Sequence, residues 1–168
     1  MPRQAYLDIE TSYQKDITVV GVYRPGKGTF QLVGREVTAV NLLDCLEQVD
    51  ILKTYNGARF DLPVIRQCLG LDLKSLFDHH DLMHLCWKHK LKGGLKAVEQ
   101  QLGICRQSQG VDGWQAMELW ARWRERGDRG ALDMLLLYNR EDVELLEEVE
   151  RRLDNLLKPE AGQSATSF

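Results

Sequence analysis

Two carboxylates stand one residue apart in "YLDIETSY", Asp8 and Glu10, at the end of a short apolar run. In an extended strand, residues two apart point to the same side. Both acids would therefore share one face, about 6.6 Å apart along the backbone, while Ile9 enters the opposite layer. Such a pair suits a cation. The triplet alone does not establish one, because Asp142-Val143-Glu144 repeats the spacing in a stretch that reads as helix. Taken in isolation, a solvated strand edge is the simpler account of Asp8 and Glu10. The chemistry depends on what else reaches them.

Asp61 closes "YNGARFD", just after the run "ILKTYN" that would lie beside the first strand. Strand ends are where open α/β sheets place their ligands. A fourth acid is selected by helical phase. In the last periodic run Leu132, Leu136, Val143, Leu146, Leu153 and Leu157 fall on one stripe at 100° per residue, which sets the buried direction. Measured from that stripe, Asp142 lies about 60° away, Tyr138 about 100°, and Glu141 nearly opposite, so Glu141 is expected in water. Tyr138 and Asp142, at i and i+4, stand on the flank of the packed face and can meet the sheet edge without entering the core. Alone they read as a surface pair. Beside other acids, a tyrosine hydroxyl one turn from a carboxylate can hold a water in line for attack.

Clustered ionised carboxylates repel by about 4 kcal/mol per pair at about 4 Å and an effective dielectric of about 20. Divalent cations remove the conflict, and all-oxygen ligands select hard ions, Mg²⁺ or Mn²⁺, over Zn²⁺. Two such ions would bracket a phosphodiester, one activating water and the other stabilising the leaving oxygen.

The elements that must position these groups follow from pattern. "AYLDI", "DITVVGVY" and "TFQLVG" read as strands, the last two joined by the turn formers "RPGKG". The Gly-Lys-Gly-Thr within that turn lacks the spacing of a phosphate loop. "REVTAVNLLDCLEQVD" places Val37, Val40, Leu43 and Leu46 at helical spacing, and "ILKTYN" returns to β. "FDLPVIRQCLG" reads as a helix with Pro63 in its first turn, "SLFDHHD" as a last strand, and Asp81 as the cap of "LMHLCWKHK". Three further helices follow from "KGGLKAVEQQLGI", "GWQAMELWARWRERGDRG" and the long run from Ala131. This order predicts an α/β fold with a mixed sheet of about five strands, one antiparallel, flanked by helices. One domain over residues 1–158 is expected, with a frayed tail over 159–168.

"LDIET", "YNGARFD" and "YNRED" together resemble the three motifs of the DEDD superfamily of 3′-to-5′ exonucleases, which has a ribonuclease-H-like fold. The third motif resembles its tyrosine subclass, because a histidine-subclass residue would fall at Leu137. The layout is similar to the compact YprB-type branch. The resemblance runs from about Tyr6 to Asp142. It implies that Asp8 bridges two metals, that Glu10 and Asp142 complete one metal shell, and that Asp61 supports the second through water. It further implies that Tyr138 orients the nucleophilic water, with Thr11, Asn56 and Phe60 at substrate-holding positions. The implied substrate is the 3′ end of single-stranded DNA or RNA. A structure-specific endonuclease and a non-catalytic binding module of the same fold are the alternatives.

Other residues have plainer readings. Asn56 and Phe60 are equally explained as an Asx-type turn and a core aromatic. His79, His80, His84 and Cys86 could hint at zinc but lack a matching second ligand pair. Trp114, Trp120 and Trp123 could stack bases, yet the spacing of Trp120 and Trp123 with Met117 favours packing. "WKHKLKGGLK" holds Lys88, Lys90, Lys92 and Lys96 around two glycines and is the best local candidate for phosphate contacts, with Lys88 and Lys92 as the selected pair. The cluster Arg122, Arg124, Arg126 and Arg129 has a weaker claim. A net charge of −3 offers no global attraction for a polyanion, so attraction must be local or come through bound cations. The four scattered cysteines read as reduced thiols of a cytoplasmic protein, and no apolar run is long enough to span a membrane.

Overall fold

The computed structural model describes residues 2–157, so the expected tail over 159–168 lies outside the described residues. Its centre is a five-stranded sheet in the order β3-β2-β1-β4-β5. β1 (Gln4–Thr11), β2 (Ile17–Arg24) and β3 (Gly28–Val33) form an antiparallel meander, while β4 (Ile51–Thr54) and β5 (Asp78–Asp81) add in parallel to the other edge of β1. Only β2 runs against the rest, which is the mixed sheet that the order of elements predicts.

Alternation along β1 divides the molecule. Ala5, Leu7 and Ile9 enter a core with Leu42 and Leu46 of α1 (Ala39–Cys45), Leu62 and Ile65 of α2 (Asp61–Leu69) and Leu73 of the single turn α3 (Leu73–Leu76). The other face carries Tyr6, Asp8 and Glu10 and is covered by α7 (Arg129–Leu157), with Val143 and Leu146 packed against Tyr6. At about 25 cal/mol per Å² of apolar area, both cores favour this register, and a one-residue slip would exchange Ile9 with Glu10. The register therefore fixes the direction in which both acids point.

α4 (Leu82–Lys88) begins at Asp81, whose carboxylate accepts from Met83 N as the pattern predicts. α5 (Leu95–Gln101) and α6 (Gly113–Arg126) complete the shell on the α7 side. α6 opens with a reciprocal cap between Asp112 and Gln115 and closes at Gly127, whose φ of 65 lies in the left-handed region that glycine tolerates.

Two expectations are corrected here. Val40 and Leu43 of α1 are exposed, and the buried positions are Leu42 and Leu46. Thr38 caps the helix, so Val37 lies outside it and is not one of its helically spaced residues. The stretch before β5 is also not all strand, since Leu73–Leu76 forms a helical turn first. Among the described residues no helix is long and apolar enough to cross a membrane, and the four cysteines are free.

Candidate metal centre and adjoining cleft

The β1–β4 ladder ends at Tyr6↔Lys53, yet β1 continues to Thr11. Beyond that point the edge of β1 facing β4 needs other partners, and Asp61 supplies one: its Oδ1 accepts from Ile9 N at 2.9 Å. Asp61 is the first residue of α2, and the β4–α2 turn that delivers it is tied down by Asp81. The Asp81 carboxylate accepts from Asn56 N at 2.8 Å and from Ala58 N at 3.1 Å while it also caps α4. Asn56 takes φ 59, a conformation that asparagine tolerates better than most residues.

From the other side, α7 lays Tyr138, Asn139 and Asp142 over the polar face of β1. One carboxylate oxygen each from Asp8, Glu10 and Asp142 can be chosen so that all three lie within 4.8 Å of one another. Asp61 stands outside that group, yet its charge bears on Asp8. Glu10 Oε1 is buried with no hydrogen-bond partner among the described residues, so it has a lone pair free to ligate a cation. Burial raises all four acids, and repulsion from Asp142 adds to it at Asp8, Glu10 and Asp61, whereas at Asp142 the Arg106 guanidinium works against burial. Asp8 and Glu10 are pushed well above the usual carboxylate range, Asp61 up to about 7 and Asp142 up to about 6. All-oxygen donors of this kind fit a hard divalent cation.

The Tyr138 ring lies under an ammonium group, with Lys96 Nζ 4.3 Å from its centroid and 3.2 Å from its hydroxyl oxygen. Lys96 also donates to the Val111 carbonyl. Burial, then the nearby acids, raise the tyrosine far above its ordinary value, so the phenol keeps its proton and acts as a donor.

Several residues that contact these acids were not anticipated from sequence. Asn139 is fully buried, donates to Asp8 Oδ2 at 3.2 Å, and accepts from Gln31 Nε2 at 3.0 Å. Arg106 pairs with Asp142 at 2.5 Å. Glu141, expected in water, is buried instead and accepts from Gln107 N, Ser108 N and the Ser108 hydroxyl. The phase argument counted only the face of α7 that meets the sheet, whereas the segment between α5 and α6 covers another flank.

Next to Glu10 opens a cleft of about 680 Å³ lined by Thr11, Phe60 and Trp114 among others. Phe60 is 46% exposed and Trp114 62%, which excludes core packing for both. Trp114 instead stands 5.2 Å from Tyr13, ring to ring. Trp120 does pack beside Val19 and Tyr138. Lys88 and Lys92 are exposed and form no ion pair with the acids of the centre; the lysine that reaches it is Lys96. Arg122 and Arg129 are held by Asp128 and Asp133. The histidines diverge: His79 bonds Thr54, His80 pairs with Asp78, and His84 meets Trp87.

Residues 5–154 match the family model of the RNase_H superfamily. A search of curated proteins found no match. Among solved structures, the chain is similar to a family B DNA polymerase from the hyperthermophilic archaeon Pyrobaculum calidifontis, with a TM-score of 0.63 and 18% identity over 88% of this chain. The likeness is one of fold, and it spans 24% of the polymerase chain. With the family match covering all five strands and most of α7, the chain belongs to the RNase_H superfamily.

Proposed function

We propose that this chain is a metal-dependent nuclease that hydrolyses phosphodiester bonds at the 3′ end of single-stranded nucleic acid, as one catalytic domain over residues 1–158. The observation that carries the reading is the convergence of Asp8, Glu10 and Asp142 within 4.8 Å, with Tyr138 one helical turn before Asp142. The tyrosine at that position supports the tyrosine subclass of the DEDD exonucleases, and the compact layout its YprB-type branch.

Divalent cations bound there, Mg²⁺ or Mn²⁺, would activate water and neutralise the leaving oxygen. The chain's own groups do the rest. Asp8, Glu10 and Asp142 would hold the ions, and Asp61, fixed against Ile9 N, would support the centre through water. The Tyr138 hydroxyl accepts from Lys96 and donates its proton toward the attacking water, which fixes a lone pair of that water toward phosphorus. Thr11 and Phe60 wall the cleft beside Glu10 and receive the terminal nucleotide. Asn56 shapes the turn that presents Phe60.

Incubation of 5′-labelled single-stranded DNA and RNA with Mg²⁺ or Mn²⁺ should give a ladder shrinking one nucleotide at a time from the unlabelled end. Asp8→Ala and Asp142→Ala should abolish it while circular dichroism stays native. Cleavage of a circular strand would decide for an endonuclease, and tight strand binding without cleavage for a binding module.

A further inference from the structure

The burial of Glu141 shows what lies over that flank of α7. The segment between α5 and α6 crosses it and is held by two consecutive acids. Glu141 takes Gln107 N at 2.6 Å and Ser108 N at 3.0 Å, and so fixes the residue just upstream, Arg106. The guanidinium of Arg106 is gripped from its other side by Glu99 on α5, Nε to Oε2 at 2.5 Å and Nη2 to Oε1 at 2.7 Å. Its remaining arm, Nη1, points to Asp142 Oδ1 at 2.5 Å. The Arg106 and Glu99 side chains are 7% and 2% exposed.

An arginine that served only to neutralise Glu99 would be complete in that two-bond fork. Here the third nitrogen faces an acid of the metal centre. Nη1 lies at ion-pair distance from Asp142 Oδ1, so it brings a full positive charge against that carboxylate. Glu99 and Glu141 together leave the guanidinium little freedom to follow Asp142 if that carboxylate moves.

We propose that Arg106 is a positioning residue and a resident counter-charge for Asp142. It holds that carboxylate in place before an ion arrives and limits how tightly the centre grips the ion afterwards. The inference rests on the metal-centre reading. A fixed positive charge a few ångströms from a bound cation disfavours that cation, whereas an ordered ligand favours it, and at a contact this short the charge dominates. Turnover and affinity should then move in opposite directions when the charge is removed. Tight binding of the ions with a mobile Asp142 gives a full but misaligned centre.

The test is Mn²⁺ titration of the whole chain, read by the electron paramagnetic resonance signal of free Mn²⁺, with rates measured in parallel. Arg106→Gln should bind Mn²⁺ about tenfold more tightly while its rate falls at least tenfold. Arg106→Lys, which keeps the charge but not the fork, should keep the wild-type affinity. Because Arg106→Gln strands a buried Glu99 and can unfold the chain, Glu99→Gln/Arg106→Gln serves as the second variant. It should fold and still bind Mn²⁺ about threefold more tightly, since Arg106 is the nearer of the two charges to Asp142. A folded double variant with unchanged or weaker Mn²⁺ binding overturns the inference and leaves the metal centre standing. A wild type that binds no Mn²⁺ removes both.

Discussion

Gly21 is the ladder partner of Asp8 on β2, and the side chain it lacks leaves the space that Asn139 fills. A Cβ at Gly21 would come within 2.4 Å of Asn139 Oδ1. From that space the Asn139 amide donates to Asp8 Oδ2, while Gln31 on β3 holds its oxygen. Three strands and α7 are thereby combined to set one carboxylate. Gly21→Ala should push Asn139 out and cost about 10- to 100-fold in rate, the usual loss when a partner of a metal ligand is disturbed. Overpacking should cost about 1 to 3 kcal/mol of stability. Rates at saturating Mg²⁺ and a urea melt check both, and a full rate in a folded Gly21→Ala would show that Asn139 does not set Asp8.

The acids were legible in sequence and their supports were not, for a physical reason. Asp8 and Glu10 follow from strand alternation, and Tyr138 and Asp142 from the angle they make with one apolar stripe. Each needs only local geometry. Asn139 falls at the centre of the α7 apolar stripe, so helical phase marks it as buried, but its bond to Asp8 spans 131 positions of chain and no local pattern names that partner; Arg106 reaches Asp142 across 36 positions with no periodicity to single it out. Glu141 fails for the same cause: helical phase tells which way a side chain points, and not whether another segment waits there. Lys96 was visible as one of four lysines, but only the fold shows that it, rather than Lys88 or Lys92, reaches Tyr138.

Tyr138→Phe removes one hydroxyl and keeps the ring under Lys96. Ring packing against Val19 and Leu135 should survive, so the melting temperature should stay within a degree or two of wild type. The rate should fall by about 10- to 1000-fold, because only alignment of the attacking water is lost. Mn²⁺ binding should be unchanged. Weaker ion binding in this variant would mean that the hydroxyl orders the acids and not the water.

Carboxyl groups whose folded-state values lie above their unfolded ones favour the folded chain at low pH. Asp61 is pushed up to about 7 and Asp142 to about 6, from an ordinary value of 3.8, and Asp8 and Glu10 move the same way. The stability these groups contribute is therefore full below about pH 4 and is lost as pH rises through about 7. Without divalent ions the melting temperature should fall across that window. Added Mg²⁺ should raise it more at pH 8 than at pH 5, since the ions bind the deprotonated acids. Melts in EDTA and in Mg²⁺ at both pH values measure this, and an equal Mg²⁺ shift at the two would place the ion elsewhere.

Trp114 sits near the start of α6 with its ring against Tyr13 and most of its surface open to the cleft that ends at Glu10. An exposed aromatic pair is costly to keep in water and well suited to a base, whose stacking on an aromatic ring is worth about 1 to 3 kcal/mol. Phe60 rises from the α2 side of the same cleft, so an unpaired strand end could enter between two aromatic walls, whereas a duplex would have to open first. Trp114→Ala should then raise KM for a single strand about 5- to 150-fold and leave kcat near wild type, because the acids and Tyr138 are untouched. Trp114→Phe should recover most of the loss. The helix itself is secured by the Asp112–Gln115 cap and not by the indole, so the fold should hold in both variants. If KM stays constant in Trp114→Ala, the strand leaves the metal centre by another face, and the exposed Trp87 on α4 becomes the next position to replace.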